Sequence, residues 1–357
     1  MFQIFLKDVF ELRKLLMGPH RKSEQDLLRI DVESEIDTII GFIRNSVRQT
    51  LHRKGAVVSV SGGIDSAVCA ALCSRALGPE NVLLLLLPER DSSPESLRLG
   101  TVLAEKLGVR SIAQDISPIL EAFGCYRSQG DAIRMVFPPY IDTWKFKITL
   151  PSILGTDRLN VSRLTVMLPS GDIRSEWMPA RVYLQLVAAT NFKQRTRTML
   201  DYYHADRLNY AVCGTPNRLE YDQGFFVKAG DGQADFKPIA HLYKTQVYAI
   251  AAALGVPEQI CRRTPTSDTF SLPQTQEEFY FGLPCDKMDL CLYGHNQGIP
   301  ASEVARAVGL TTEQIERVYR DIEVKRRTTH PLHAPALMVR SVAEVDEFKQ
   351  EESTLND

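Results

Sequence analysis

The sequence predicts an α/β fold built on a doubly wound parallel sheet of the Rossmann-like type. Short runs of β-branched or leucine residues alternate with longer runs that have helical periodicity. The alternation recurs at about 25 to 30 residues, the spacing of strand–helix–strand units, whose strands lie parallel with helices on both faces. With 357 residues, 44% of them hydrophobic, the chain is long enough for a substantial core.

The first block of elements lies within residues 31–115. Aliphatic residues at helical spacing predict a helix over 31–51, and the β-branched run 55–60 predicts a buried strand. A double glycine then leads into an Ala-rich helix over Ile64–Leu77, which a Gly-Pro pair ends. The pattern continues with a strand over 81–87, a helix over Pro94–Leu107 and a strand over 110–115.

A second block follows residue 190 and resumes the alternation. Its elements are predicted as a helix over 192–206, a strand over 208–213 and a helix over 242–254. Two charged amphipathic runs, Ala301–Val308 and 311–327, predict a small helical part within 300–345. We assign all of these elements to one domain, residues 1–357.

Between the two blocks, residues 124–186 predict a β-rich insertion. Polar and apolar residues alternate in 144–150 and 159–168, which is the pattern of half-buried strands. Residues 169–172 (PSGD) form a turn cluster, so a hairpin is expected there.

Charge and cysteine content limit the partners and the location. The 42 basic and 44 acidic residues give a formal net charge of −2, so we expect no nucleic-acid partner. No apolar run approaches the roughly 20 residues that a membrane span needs. The seven cysteines are an odd number without a CxxC pair, which predicts reduced thiols in a cytoplasmic protein.

A phosphate-binding loop is predicted where the first strand meets its helix. The loop is Ser59-Val60-Ser61-Gly62-Gly63-Ile64-Asp65-Ser66. Unpaired backbone N–H groups and the positive helix end favour a phosphate there, and two glycines permit close approach. Asp65 supplies a carboxylate where Mg²⁺ bound to pyrophosphate needs one. The alternative is a tight turn in which Asp65 and Ser66 only cap the helix.

The loop lacks the Lys-Ser/Thr ending of a Walker A motif. Its SGGxDS sequence resembles the loop of the ATP-pyrophosphatase superfamily, whose members release pyrophosphate from ATP. That superfamily includes NAD, GMP and asparagine synthetases and tRNA-modifying thiolases. The loop alone therefore leaves several activities open.

Further motifs narrow the choice, because they follow one another in a specific order and spacing. They are 87–94 (LPERDSSP), 191–199 (NFKQRTRTM), 213–220 (CGTPNRLE), 224–232 (GFFVKAGDG), 235–238 (DFKP), 242–247 (LYKTQV) and 265–268 (PTSD). This series resembles the NAD synthetase family, over about 31–123 and 190–327. The resemblance implies that the sheet belongs to the adenine nucleotide alpha hydrolase-like group.

The resemblance also implies roles for individual residues. ATP would contact Ser59, Ser61, Gly62, Gly63, Ile64, Asp65, Ser66, Arg90, Thr215, Lys244 and Thr266. The acid substrate would contact Arg195, Lys228, Asp235 and Lys325. Asp65 and Glu220 would hold Mg²⁺, and the catalytic set would be Asp65, Lys228, Lys244 and Asp235.

The implied activity is that of an ammonia-dependent amide ligase. ATP adenylates the carboxylate of deamido-NAD, pyrophosphate leaves, and ammonia then displaces AMP to form the amide. The resemblance further implies a homodimer, with ammonia that is free or delivered by a separate glutaminase chain. A bound Mg²⁺ ion is the expected cofactor.

Three departures from the family pattern concern the acid substrate. They are the insertion at 124–186, Val324 before Lys325 where the family has a His-Lys pair, and Gln233 where the family repeats glycine. A paralogue that amidates a different small carboxylic acid or sugar acid therefore stays open. A nucleotide-binding protein without turnover is the alternative from another class.

Overall fold

A four-stranded parallel sheet forms the centre of the computed structural model, which describes residues 27–150, 162–266, 269–340 and 342. Its strands are β1 (Ala56–Ser59), β2 (Val82–Leu86), β3 (Arg110–Ala113) and β7 (Ala211–Val212). They are arranged in the order β3-β2-β1-β7. Ala56 lies opposite Val82 on one side and Ala211 on the other, so the carboxyl ends of β1 and its neighbours meet at one edge.

The helices among the described residues are α1 (Val32–Arg44), α2 (Ile64–Leu77), α3 (Pro94–Leu107), α4 (Ser117–Ala122), α5 (Cys125–Arg134), α6 (Ala180–Leu208), α7 (Arg218–Gln223), α8 (Lys244–Ala253), α9 (Glu258–Cys261), α10 (Cys285–Asn296), α11 (Ala301–Val308) and α12 (Thr312–His333). Single π-helical turns occupy Asn45–Thr50 and Glu277–Phe281. None of the described helices combines the length and apolar character that crossing a bilayer demands.

Helices cover both faces of the parallel sheet. Ala56 and Val58 face a core that is shared with α1, α2, α3 and α8. Val57 points the other way, into a core that is shared with α4, α5 and α6. This alternation is what a strand buried on both sides requires. The doubly wound prediction is therefore confirmed.

A second sheet, the inserted sheet, is an antiparallel meander of β4 (Lys145–Thr149), β5 (Arg163–Met167) and β6 (Ile173–Trp177). The predicted hairpin is confirmed, because Met167 pairs with Ile173 across the turn. Alternate residues of β4, such as Phe146 and Ile148, point into a separate apolar core with parts of α5 and α6. The inserted sheet thus carries its own core.

The strands of the predicted β-rich insertion, 124–186, lie within residues 145–177, and helices occupy both ends of the predicted range. Residues Cys125–Arg134 form α5, because their buried positions recur at helical rather than strand spacing. The last residues of the range belong to α6, which begins at Ala180 rather than at 192. α6 also takes Leu208, so the predicted strand 208–213 shrinks to Ala211–Val212.

The C-terminal helices form a fourth apolar core around Ile315, Val318 and Ile322. α10 contributes to that core, so the helical part starts at Cys285, before the predicted start at 300. α12 continues to His333, beyond the predicted end at 327. The last turns of this helix reach the site described below. The predictions for 1–26, 151–161, 267–268, 341 and 343–357 lie outside the described residues.

Candidate active site

A cavity of about 1000 Å³ opens beside the carboxyl ends of β1 and β2. Its wall combines the phosphate loop, α6, residues 224–228, parts of 264–266 and 269–280, α12 and part of the inserted sheet. Ligands of open parallel sheets bind at this edge, because the loops that follow the strands converge there. The volume is that of a ligand site rather than a packing defect.

The phosphate loop is held in shape by its own serines. The Ser66 hydroxyl donates to the carbonyl of Gly63 (3.0 Å), and the Ser61 N–H donates to the Ser66 hydroxyl (3.3 Å). Gly62 has a φ of +73°, and a Cβ there would lie 2.7 Å from the Ser96 carbonyl oxygen. Only glycine meets both conditions without strain.

Helix α2 starts directly after the loop, with Gly63 as its N-cap residue. Among the described side chains, none accepts the capping hydrogen bond of this helix. The alternative in which Asp65 and Ser66 serve as caps is therefore not what the structure shows. The first residues of α2 line the cavity, and the free N–H groups of a helix start favour an anion.

Lys244, Asp65 and Glu220 form a charged cluster at the loop. The buried Lys244 ammonium pairs with Asp65 Oδ2. Asn217 joins the two acids, because its Nδ2 donates to Asp65 Oδ1 (3.1 Å) and its backbone N–H donates to Glu220 Oε2 (3.1 Å). Three segments that are distant in sequence therefore meet at the start of α2.

Helix caps fix the orientation of this cluster. Lys244 is the first residue of α8, and Asp289 accepts from the backbone N–H groups of Lys244 (3.1 Å) and Thr245 (2.7 Å). Asn217 and Glu220 form a reciprocal capping box at α7. The Asn-x-x-Glu spacing is a sequence signal for this box, whereas Asp289 had no local signal.

Burial and charge shift the pKa values of the cluster. Burial, and then the neighbouring Asp65, raise the pKa of Glu220 to about 7. Burial lowers the pKa of Lys244, but Asp65 and Glu220 outweigh it and raise the value overall.

Two carboxylates that repel each other suit a divalent cation. The described residues contain no group of three or more His, Cys, Asp or Glu placed to hold a metal. Asp65 and Glu220 fit Mg²⁺, because this ion takes one or two carboxylates beside phosphate oxygens.

Three more of the predicted ATP residues lie at the cavity wall. Thr215 and Thr266 line it directly. Ser59 lines it as well, but its hydroxyl donates to Asp201 Oδ1 at 2.6 Å. Asp201 is only 7% exposed, and burial raises its pKa to about 7. Ser59 therefore already has a partner inside the protein.

The predicted acid-binding residues Arg195, Lys228 and Lys325 line the same cavity. Lys228 donates to the backbone carbonyls of Pro331 (2.6 Å) and Ala334 (3.0 Å) at the end of α12. Lys325 donates to the Tyr280 carbonyl (2.7 Å) and pairs with an acid one turn earlier in α12. Burial lowers the pKa of Lys325. Both ammonium groups are thus engaged by protein oxygens.

Arg90 and Asp235 are not among the described residues that line the cavity. The Arg90 guanidinium lies 3.7 Å from the centre of the Tyr126 ring. Asp235 accepts from the Val212 N–H (2.7 Å) and from the Tyr202 hydroxyl (3.2 Å), so it ties β7 to α6. The structure therefore does not bring these two residues together with the cluster.

Sequence reasoning missed two cations near the site. Arg263 donates to the Ser61 carbonyl (3.3 Å) and to the Ser96 hydroxyl (2.9 Å), and it lines the cavity. Lys193 is 1% exposed and pairs with Glu89 (2.9 Å) and a neighbouring acid of the loop after β2. Lys193 stands in the NFKQRTRTM motif, which could have pointed to it, whereas Arg263 lies in no motif.

The family model described as NAD synthase matches residues 35–135 and 169–334 of the chain. The chain belongs to the NAD synthase family. The resemblance inferred from the motifs is therefore confirmed. Residues 136–168, which the NAD synthase model skips, contain β4 and β5.

Curated NAD synthase relatives match most of the chain. The NH(3)-dependent NAD(+) synthetase of Mesorhizobium japonicum is 56% identical over 318 residues, which are 89% of this chain and 100% of the relative. The enzyme of the same name from Thermotoga neapolitana is 39% identical over 257 residues, 72% of this chain and 82% of the relative.

Solved NAD synthase structures share the fold. The NH3-dependent NAD synthetase of Campylobacter jejuni superposes with a TM-score of 0.57 at 23% identity, covering 87% of this chain and 100% of the other. The NAD+ synthetase of Burkholderia pseudomallei gives a TM-score of 0.51 at 22% identity, covering 89% and 94%. At these identities the likeness establishes the fold alone.

Proposed function

We propose that this protein is an ammonia-dependent NAD+ synthetase that amidates deamido-NAD at the expense of ATP. The observation that carries the proposal is the cluster of Lys244, Asp65 and Glu220 against a glycine-rich loop at one end of a large cavity. Such a cluster can stabilise the negative charge of pyrophosphate as it leaves a nucleoside triphosphate. The names of the relatives above support deamido-NAD as the acid.

In the first step, the loop amides and the hydroxyls of Ser61 and Ser66 bind the ATP phosphates. A carboxylate oxygen of the acid attacks the α-phosphorus, the bond to the β-phosphate oxygen breaks, and an acyl-adenylate forms. Lys244 neutralises negative charge on the departing pyrophosphate. Asp65 and Glu220 would hold a Mg²⁺ ion, which when bound supplies further neutralisation of the same charge.

In the second step, ammonia attacks the activated carbonyl carbon, AMP leaves, and one proton is released. Activation is needed because a carboxylate is a poor electrophile and hydroxide a poor leaving group. The cycle requires no covalent bond to the protein, so it assigns no catalytic role to any cysteine. Ammonia is free in this proposal, although a separate glutaminase chain can supply it.

The acid substrate is assigned to the far end of the cavity. Arg195, Lys228 and Lys325 offer positive charge there, and the stacked rings of Phe225 and Tyr280 (4.7 Å between centres) offer an apolar face. In this proposal, a phosphate or carboxylate of the dinucleotide replaces the helix carbonyls that Lys228 now contacts. An aromatic face beside cations suits a negatively charged dinucleotide, whose aromatic bases can stack on it.

We further propose a cytoplasmic homodimer. Several apolar side chains of α6 point to solvent, including Leu184 (65% exposed) and Tyr203 (60% exposed). Exposed apolar residues along one helix are typical of a protein interface. Sedimentation of the wild type and of the Leu184→Glu variant tests this, since a monomeric wild type contradicts it.

The assay for the proposed function follows AMP and pyrophosphate from Mg-ATP, ammonium and a panel of acids that includes deamido-NAD. We expect stoichiometric AMP, pyrophosphate and NAD with deamido-NAD, and no amide when ammonium is omitted. Turnover with another acid, and none with deamido-NAD, would show that the protein is a paralogue with a different substrate. The exposed Val324 at the cavity wall is the feature that favours this alternative. ADP as the product would reject the ligase class.

A further inference from the structure

Residues 269–281, here called the strap, run along the free edge of the inserted sheet. The Phe146 N–H of β4 donates to the Ser271 hydroxyl (3.0 Å), and the Leu272 N–H donates to the Phe146 carbonyl (3.0 Å). The side-chain amide of Gln274 donates to the Ile148 carbonyl. The edge of β4 that does not face β5 therefore finds its hydrogen-bond partners in the strap.

Side chains strengthen the same contact. The Phe146 ring meets the Phe270 ring edge-on at 5.6 Å between centres. Lys147 pairs with Glu278 at 3.1 Å, and the Leu150 N–H donates to the Glu278 carbonyl at 3.3 Å. The contact thus extends from Phe146 in β4 to Leu150, one residue beyond the strand.

The other side of the strap faces the cavity. The Gln276 side-chain amide donates to Glu220 Oε1 (2.9 Å), on the acid assigned to the metal. The Tyr280 carbonyl accepts from Lys325 (2.7 Å), and the Thr269 carbonyl accepts from the buried Lys193 (3.0 Å). Phe270 also lines the cavity. One short segment therefore contacts the inserted sheet on one side and the reactive cluster on the other.

We infer that the inserted sheet holds the strap in place before nucleotide binds, so that Glu220 and Lys325 are already positioned. Ser271 and Gln274 are then positioning residues, since they touch β4 rather than the substrate. A strap without this support would have to be ordered by the ligand, and the cost of ordering would weaken nucleotide affinity. The inference rests on the proposed function only for the identity of the nucleotide.

The test compares two double variants. Ser271→Ala with Gln274→Met removes two hydrogen bonds between strap and sheet at nearly constant volume. Thr165→Val with Ser175→Ala removes two hydrogen bonds of the Ser175 hydroxyl within β5 and β6 of the same sheet, from Thr165 (3.1 Å) and from Arg163 (3.1 Å), and touches no strap residue. For each, hydrogen exchange of residues 269–281 is measured without ligand, and the Kd for Mg-ATP is measured by calorimetry. The kcat and the KM for ATP are measured in parallel.

For the strap variant we expect faster exchange of the strap, a Kd and a KM for ATP raised about tenfold, and kcat within about twofold of wild type. The control variant should match wild type in all four quantities. Unchanged exchange and Kd in the strap variant, or equal effects in both variants, overturn the inference.

Should the double variant fail to fold, Lys147→Met removes the contacts of this ammonium with Glu278 and with the Pro273 carbonyl, both in the strap, and should give a smaller change in the same direction. An absence of change in that variant also counts against the inference. Exchange and Mg-ATP binding require no amidation, so they distinguish a failure of this inference from a failure of the proposed function.

Discussion

The phosphate loop and the inserted sheet contribute to one cavity by different physical means. The loop end is charged: Lys244 and Asp65 pair beside Glu220, on segments that the NAD synthase family model matches. The inserted sheet has an apolar core around Phe146 and Ile148, and the family model does not match these two residues. The reactive groups and the segments that position them can therefore belong to separate cores of one protein.

The largest expected effect is at the charged end. Asp65→Asn removes the partner of a buried ammonium and one of the two candidate metal carboxylates, so kcat/KM should fall by at least about a thousandfold. The free energy of unfolding should fall by about 3 kcal/mol, because Lys244 stays buried. Steady-state kinetics and denaturant unfolding measure the two losses.

Asp131→Asn is the control for that variant, because Asp131 pairs with Arg134 (2.9 Å) on the surface. It should leave both quantities unchanged. A wild-type kcat/KM in Asp65→Asn would show that the charged end of the cavity does not carry out the reaction, and would contradict the contrast drawn between the two regions.

The next effect tests whether the inserted sheet has an independent core. Phe146→Ala deletes a fully buried ring and should cost about 3 to 5 kcal/mol. Hydrogen exchange should show β4 to β6 opening more readily while β1 and β2 keep their protection. Ile173→Ala, at an exposed position of the same sheet, should stay within about 0.5 kcal/mol. Equal opening of both sheets would show that the two cores unfold as one.

A smaller effect concerns Asp201 below the loop. Burial raises the pKa of Asp201 to about 7, so its ionisation opposes folding: the cost is absent below about pH 4 and complete above pH 7. Asp201→Asn keeps an acceptor for Ser59 and should stabilise the protein by about 2 kcal/mol at pH 8.

The advantage of Asp201→Asn should fade as the pH drops from 7 towards 4. Unfolding curves at several pH values measure it. A pH-independent difference between the variant and the wild type would show that the carboxyl does not titrate in this range.

The smallest expected effect lies where the C-terminal pattern departs from the family. Val324 is partly exposed at the cavity wall, so Val324→His should change the KM for the acid by no more than about threefold. The KM for ATP should not change. A larger effect on the acid would make this position a determinant of substrate choice.

Much of the charged end was predictable because its signals are local. Ile64–Leu77 and Pro94–Leu107 were predicted with the observed boundaries, since Gly78 and Gly108 end these helices within one residue of the last turn. The loop, Lys244 and Glu220 were found through motifs. What the motifs did not reveal was that Asn217 joins the two acids through its side chain and backbone.

The rest depended on long-range contacts that no local pattern records. Ser271 reaches Phe146 over 125 positions, and Lys228 reaches Pro331 over 103. The start of α6 was missed because tertiary packing of its first turns against the inserted sheet decides it. Arg90 and Asp235 were placed by motif alone, yet their side chains are directed at Tyr126 and at the N–H of β7.

Helix α6 connects the two regions physically. It has 29 residues and is therefore about 43 Å long. Val182 and Leu186 anchor its first turns in the core of the inserted sheet, and Leu200 anchors a later turn on the parallel sheet. Arg195 lies between the anchors. The place of this arginine in the cavity is therefore set by the packing of α6 against both sheets, so a change in either core can reach the substrate end.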